Sequence, residues 1–366
     1  MQVYSIILEN FRNYKQESFV FTPDVNVITG ANAQGKTTLL EAIYLLTGGR
    51  SFRTRFDREL IAFNASAAAV RAEIECGGRD QRIELFFNRG SRRKILKNGV
   101  KKTTSELSGE LTAVLFSPDD LGMVRDGAAA RRRFMDVAIA QLRPKYSALI
   151  SKYARLYDHK SRILRDFCNK PSLLEPLEEF SISMASTSAQ IIRYRAAFLR
   201  RIAEKAAEIH CEFSGGREEL SLNYKTVSTV KDPTAPATEI FSWVMDHQKS
   251  HERAEMESRS CLTGVHKDDI EIAINGISAR QFASQGQART AALSLKLAER
   301  LLFFEEFETP PILLLDDVLS ELDPKRQEFV LNRIGGGQTF ITCCEDDGIA
   351  GRTGGKVITI EKGRRV

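Results

Sequence analysis

Gly30-Ala31-Asn32-Ala33-Gln34-Gly35-Lys36-Thr37 satisfies G-x-x-x-x-G-K-[ST] at every defined position. The apolar run VNVIT stands before it and TTLLEAIYLL after it. The segment therefore predicts a strand, a phosphate loop and a helix, in that order. In such a loop the backbone N–H groups and the helix N-terminus face phosphate oxygens. Gly30 and Gly35 permit the close approach because they carry no Cβ. Ala31, Asn32, Ala33 and Gln34 supply the intervening amides, and Thr38 continues the first helical turn. Lys36 is expected to neutralise charge on the β- and γ-phosphates, and the Thr37 hydroxyl to reach Mg2+. ATP and Mg2+ are thus the expected ligands.

A metal beside a triphosphate needs a carboxylate at the end of a neighbouring strand. ILLL at 312–315 reads as a buried strand, and Asp316-Asp317 follow it directly. Successive side chains on a strand point to opposite faces, so the two carboxylates take different roles. Asp316 is expected to hold Mg2+, largely through water. Asp317 is expected to orient or deprotonate the attacking water. A double aspartate after an apolar strand also suits a helix N-cap, the plain alternative. Arg12 lies between the first strand and the P-loop strand, so it reads either as a nucleotide contact from the side or as a surface arginine.

Ser284-Gln285-Gly286-Gln287 precede a long helical pattern beginning near Ala288. A serine and a glycine at a helix start form a second anion site, or only a cap and a turn. With one P-loop per chain, a second anion site is useful if it meets the γ-phosphate held by another copy. That is the head dimer of ABC-type ATPases, with two nucleotides sandwiched between two chains and Ser284, Gly286 and Gln287 acting in trans. Ser320-Glu321-Leu322-Asp323 then resembles the D-loop of such heads, through Ser320 and Asp323.

The remainder fixes the organisation. The chain has 366 residues, enough for two modest domains or one with a large insertion. Strand-like and helical segments alternate at both ends, and Asn98-Gly99 reads as a hairpin turn. The helix after the P-loop is expected to stop at Gly48 and Gly49. From about residue 121 to 212 the pattern is helical and charged. Leu142, Tyr146, Leu149, Tyr153, Leu156, Lys160, Ile163 and Phe167 keep one 3–4 seam; Ile182, Ala185, Ala189, Ile192, Ala196, Leu199, Ala203 and Ala206 keep another. Asn169, Pro171 and Pro176 break the chain between them. This predicts an antiparallel helical hairpin, a bulky seam against an alanine-rich one, projecting as an arm. Residues 215 to 256 look less regular. The expected fold is an α/β P-loop ATPase head, assembled from residues 1–120 and 256–366 around an inserted helical arm at 121–255.

No apolar run approaches the roughly 18 to 20 residues needed to span a bilayer, and the N-terminus reads as a strand rather than a signal peptide. A cytoplasmic, nucleoid-associated protein is expected. The six cysteines show no zinc spacing and are expected to be reduced. Net charge is +5, but the basic residues cluster. Arg131, Arg132 and Arg133 form one group, Arg92, Arg93, Lys94, Lys97, Lys101 and Lys102 a second, and Arg193, Arg195, Arg200 and Arg201 a third. Such clusters either neutralise DNA phosphates or form a solvated, ion-paired surface.

Taken together, the chain resembles the RecF family of bacterial recombination-mediator ATPases related to SMC heads. Leu8-Glu9-Asn10-Phe11-Arg12-Asn13-Tyr14, the P-loop through Tyr44, and Gly49-Arg50-Ser51-Phe52-Arg53 carry the first part of the likeness. Phe116-Ser117-Pro118-Asp119-Asp120-Leu121, Arg131-Arg132-Arg133-Phe134-Met135-Asp136 and His266-Lys267-Asp268-Asp269 carry the middle. Ser284 to Arg289 and Leu315 to Asp323 complete it in the family's order. Ala31 and Ala33 stand where the family commonly has Glu and Gly, and Val265 where proline is usual. Asp317 replaces the catalytic Glu of ABC transporters, and no switch histidine follows Thr339-Phe340-Ile341-Thr342. The resemblance implies a slow, DNA-stimulated ATPase that dimerises with ATP at gapped, junction or single-stranded DNA. It also implies RecR-type mediator partners, help in recombinase loading, a part in replication-fork maintenance and the SOS response, and no membrane partner. An ABC transporter subunit and an SMC-like tether are the competing readings. The first would lack the heptad arm, and the second would need far longer coiled coils.

Overall fold

The computed structural model describes residues 1–48, 50–54, 56–344 and 348–366, without the side chain of Ser105. Gly49, one of the two expected helix-stopping glycines and the head of the 49–53 motif, lies outside the described residues. The chain divides into two compact units. One comprises Met1–Leu121 with Lys296–Val366, the other Gly122–Leu295.

In the first unit, a six-stranded sheet runs in the order Arg364–Arg365, Lys356–Glu361, Val25–Thr29, Thr339–Cys343, Ile312–Leu315, Ala113–Phe116. All its neighbours are parallel except the pair at the Arg364–Arg365 edge. Val25–Thr29, Thr339–Cys343 and Ile312–Leu315 are buried at every position. That burial on both faces explains their unbroken apolar runs. Parallel strands end on the same side, so the loops after Thr29, Leu315 and Cys343 leave from one edge. One detail departs from the sequence reading. The Asp316 strand is not the immediate neighbour of the P-loop strand, because Thr339–Cys343 lies between them, pairing Leu315 with Ile341 and Thr29 with Cys343.

A second, antiparallel sheet follows the order Tyr14–Val20, Gln2–Phe11, Ala67–Cys76, Arg79–Asn88, Ser91–Lys97, Val100–Lys102. Its last hairpin turns on Asn98 and Gly99 at φ 50° and 78°. Two positive φ values suit a type I′ turn, as the Asn-Gly pair leads one to expect.

The second unit contains the two seam helices, Pro144–Asp166 and Leu177–Ser214, packed on each other. Tyr146, Tyr153 and Ile163 are buried on the bulky side. Ala185, Ala189, Ile192, Ala196, Leu199 and Ala206 are buried on the small side, while Ile182 is exposed. The hairpin is not a bare projection. The stretch read as irregular folds into the strand Leu220–Lys225 and the helix Ala237–Ser258, and that helix packs on Leu177–Ser214. Lys160 of the first seam helix pairs with Glu255 at 2.7 Å, both side chains almost wholly buried. The unit also extends past the expected boundary at 255. Asp269–Ile274 pairs with Leu220–Lys225 along its whole length, which ties the chain to this unit as far as Leu295.

Two of the clustered arginines are core residues. Arg131 is bonded to Asp269 at 2.6 and 3.0 Å and to main-chain oxygens of Met123 and Asp126. Arg195 reaches Asp136 and Asp268 at 2.9 and 2.6 Å. Buried guanidinium groups need such partners, so these two do not form a phosphate-facing surface. Arg193 and Arg200 on the same helix are exposed. In the second cluster, Arg93 pairs with Asp57 and Lys97 with Glu110, while Arg92, Lys94 and Lys101 are exposed.

Candidate nucleotide site

The P-loop leaves its strand at Thr29 and enters the helix Lys36–Leu45. Both glycines are required by the fold itself. Gly30 has φ 145°, and a Cβ there would lie 2.3 Å from the Ile360 carbonyl oxygen. Gly35 has φ 122°, and a Cβ there would lie 2.7 Å from the Asn13 amide and 2.9 Å from the Tyr14 hydroxyl. Ala33 adopts φ 63°, in the left-handed region that a Cβ disfavours. The loop therefore carries strain at Ala33, one of its two departures from the pattern of the resemblance.

Side chains that sequence reasoning quoted only as part of a motif hold the loop. The Tyr14 hydroxyl donates to the Gly35 carbonyl at 3.0 Å, and the Asn13 amide to the Gln34 carbonyl at 2.9 Å. On the other side, the Lys362 N–H donates to Gln34 Oε1 at 2.5 Å and the Gly363 N–H to the Gln34 carbonyl at 3.0 Å. A phosphate loop whose amides must converge on an anion gains from such external support.

Lys36 is buried, and its ammonium donates to the Gly30 and Ala31 carbonyls at 2.7 and 3.2 Å. The Thr37 hydroxyl donates to Asp316 Oδ1 at 2.8 Å. Thr342, on the intervening strand, donates to the same oxygen at 3.0 Å and accepts the Asp317 N–H at 2.8 Å. Burial lifts the Asp316 carboxyl above the ordinary aspartate range, opposed by the two threonine hydroxyls. Asp317 sits at φ 49°, so its backbone turns sharply away from the strand. Thr37 and Asp316 are thus brought together on hard oxygen atoms, a donor set that fits Mg2+.

Cys344 occupies the stretch after the strand Thr339–Cys343. Its thiol donates to Asn32 Oδ1 at 2.9 Å and lies 3.7 Å from Lys36 Nζ. The adjacent pair Cys343 and Cys344 carried no such signal in the sequence.

Arg12 adopts φ 54° and points at Glu41 rather than at the loop amides. Its guanidinium donates to both carboxylate oxygens at 2.8 and 3.0 Å. Glu41 is fully buried on the P-loop helix and also pairs with Arg53 at 3.4 Å. Arg53 lies 3.5 Å from the Thr38 hydroxyl. Sequence reasoning missed Glu41 because one acidic residue in an apolar helix shows nothing of its partners.

Ser320 donates its hydroxyl to the Asp317 carbonyl at 2.6 Å. Asp323 caps the helix Pro324–Leu331, accepting the Arg326 N–H at 3.1 Å. Ser284, Gly286 and Gln287 belong to the other compact unit. There the helix Gln285–Phe307 begins directly after Ser284, whose Oγ accepts the Gln287 N–H at 3.2 Å. The Gln287 side-chain oxygen accepts the Ser284 N–H at 2.9 Å. Together they form a reciprocal capping box.

The sequence matches the family described as RecF/RecN/SMC N terminal domain over residues 2–358. It is 37% identical to the DNA replication and repair protein RecF of Acetivibrio thermocellus, over 100% of this chain and 99% of that protein. It is similar to a solved structure described as the recombination mediator protein RecF-ATPrS in the RecFOR pathway. The TM-score there is 0.92 and the identity 32%, covering 99% of this chain and 97% of the other. An Smc head domain from Pyrococcus furiosus shares the fold at a TM-score of 0.56 and 17% identity, over 100% of this chain and 95% of that one.

Proposed function

This chain belongs to the RecF family, and on that footing we propose that it is an ATP-dependent protein of DNA replication and repair whose ATP acts as a dimerisation switch. One observation carries the reading. Lys36, Thr37 and Asp316 converge at the C-terminal ends of parallel strands, with Thr342 bonded to both aspartates of the pair.

The loop amides and Lys36 bind the triphosphate, with the ammonium exchanging its carbonyl partners for phosphate oxygens. Thr37 and Asp316 would hold Mg2+, which when bound would neutralise phosphate charge. Asp317, turned out of the strand, orients or deprotonates water. Arg12 and Arg53, gathered on the buried Glu41, brace the start of the P-loop helix beside Thr38. Ser284, Gly286 and Gln287 meet the γ-phosphate held by a second chain, with Ser320 and Asp323 at the same interface. A site completed only by two copies turns over slowly and stays closed while the γ-phosphate is present.

The protein works in the cytoplasm on gapped, junction or single-stranded DNA with RecR-type partners, supporting recombinase loading and the SOS response. Nothing observed favours a transporter subunit or a tether. Light scattering of the purified chain with a gapped duplex tests the switch. ATP should double the protein mass and ADP should not. An unchanged mass with ATP rules out the dimer.

A further inference from the structure

The capping box at Ser284 is held from outside its own helix. The Gln287 side-chain amide donates to Glu218 Oε1 at 2.9 Å. The other Glu218 oxygen lies 3.0 Å from Nε2 of His210, a fully buried histidine near the end of the long helix Leu177–Ser214. Burial holds His210 below the ordinary histidine range against the pull of Glu218, so the ring is neutral. A neutral ring with its proton on Nε2 donates to the carboxylate and fixes it. The Glu218 backbone is fastened to the same helix end. Its N–H donates to Ser214 Oγ at 3.2 Å, where Gly215 ends the helix in the left-handed conformation.

The chain of contacts therefore runs from His210 and Ser214, through Glu218, to Gln287 and the Ser284 amide and hydroxyl. Each link constrains the next. Without Glu218 the Gln287 amide loses the outer acceptor that helps orient the side chain whose oxygen faces the Ser284 N–H. We propose that Glu218 is a positioning residue for the Ser284 motif, fixing the helix start that meets the γ-phosphate of a second chain. This rests on the reading that Ser284 acts in trans. In this proposal Glu218 acts on the motif through Gln287.

The test uses the full-length chain. Glu218→Ala should bind a fluorescent ATP analogue within about twofold of the parent, because the P-loop belongs to the other compact unit. Its ATP-dependent dimerisation and DNA-stimulated turnover should fall about tenfold or more, the usual scale for losing a hydrogen bond to a charged group. Gln287→Glu should fall similarly, since two carboxylates would then face each other. The exchange Glu218→Gln with Gln287→Glu restores one donor and one acceptor and leaves a Ser-x-x-Glu capping box. It should recover most of the activity, which general damage to the fold would not allow. Two mixtures separate this proposal from its premise. A Lys36→Met chain mixed with a Ser284→Arg chain regains turnover if the motif acts in trans. The same partner mixed with the Glu218→Ala chain regains it if Glu218 serves that motif. Recovery in the first mixture alone, or an exchange variant no better than Gln287→Glu, overturns the role of Glu218. Recovery in neither overturns the trans reading, and the proposal with it. Should Glu218→Ala fail to fold, Gln287→Glu and the exchange variant decide.

Discussion

Each side chain at the candidate site has a job set by its nearest atoms. Lys36 spends its ammonium on two carbonyls of its own loop, contacts that a triphosphate can replace. Lys36→Ala should therefore weaken ATP binding by a few kcal/mol, on the order of 100-fold. Equilibrium titration with a fluorescent analogue measures it, and an affinity within about threefold of the parent would refute the assignment. The two aspartates separate by geometry. Asp316 faces Thr37 and Thr342, whereas Asp317 is bonded to Thr342 through its backbone N–H, and the proposed role in orienting water falls to its carboxylate. Asp317→Asn should keep ATP binding and slow single-turnover hydrolysis by about 100-fold or more. Asp316→Asn should instead raise the Mg2+ concentration needed for half-maximal activity. Equal hydrolysis by the Asp317 variant and the parent would mean another group activates water. Lys36, Thr37 and Asp316 were legible in the sequence because their chemistry is local to short motifs. The Glu41 partner of Arg12 was not legible, because a pair separated by 29 residues leaves no spacing to read.

At the scale of elements, legibility followed the chemistry of the buried stripe. The seam helices were readable because Tyr146, Tyr153, Ala185, Ala189 and their neighbours repeat as apolar groups. The helix Ala237–Ser258 was not, because its buried face carries His247, Gln248 and Glu255 beside Ile240 and Val244. Polar groups at core positions erase the apolar period, and only their partners justify them: Glu255 accepts from Lys160, Leu262 and Thr263. His266 is a second polar group of this kind. It is bonded to the Tyr153 hydroxyl at 2.8 Å through Nδ1 and lies 3.3 Å from the Cys261 carbonyl through Nε2. Burial first, with Lys267 and Arg132 adding to it, depresses its pKa from 6.5 to about 4. The unfolded chain thus takes up this proton more readily than the folded one between those values. Stability from this group is intact above about pH 6.5 and is lost as the pH falls toward 4. His266→Gln keeps an acceptor and a donor without the titration. Thermal unfolding of the parent should lose about 1–2 kcal/mol more than this variant between pH 7 and pH 5. Parallel pH profiles for the two proteins would remove His266 from the account.

The whole molecule raises a question that charge alone left open: whether the arginine clusters serve DNA or the fold. Arg131 and Arg195 serve the fold, being buried against Asp269, Asp136 and Asp268. The compact unit runs on past the expected boundary near 255 for a related reason, since Asp269–Ile274 pairs with Leu220–Lys225 and no local pattern announces so distant a partner. What remains for phosphate contact is the exposed set, including Arg193 and Arg200 of the long helix. Each phosphate contact contributes about 0.9 to the slope of log K against log salt concentration. A dimer brings two copies of every exposed arginine, so the slope with ATP should be about twice that with ADP. Replacing both Arg193 and Arg200 by Ala should then lower the slope by about 2 with ADP and about 4 with ATP. Replacing Arg195 should instead strip the pairing from the buried Asp268 and the half-buried Asp136 and lower the melting temperature, the cost of breaking a buried ion pair being about 3–5 kcal/mol. Fluorescence anisotropy of a labelled gapped duplex across a salt series provides both slopes. Identical slopes in ATP and ADP would show that nucleotide does not assemble a second DNA-binding surface, and the paired-head account would have to be abandoned.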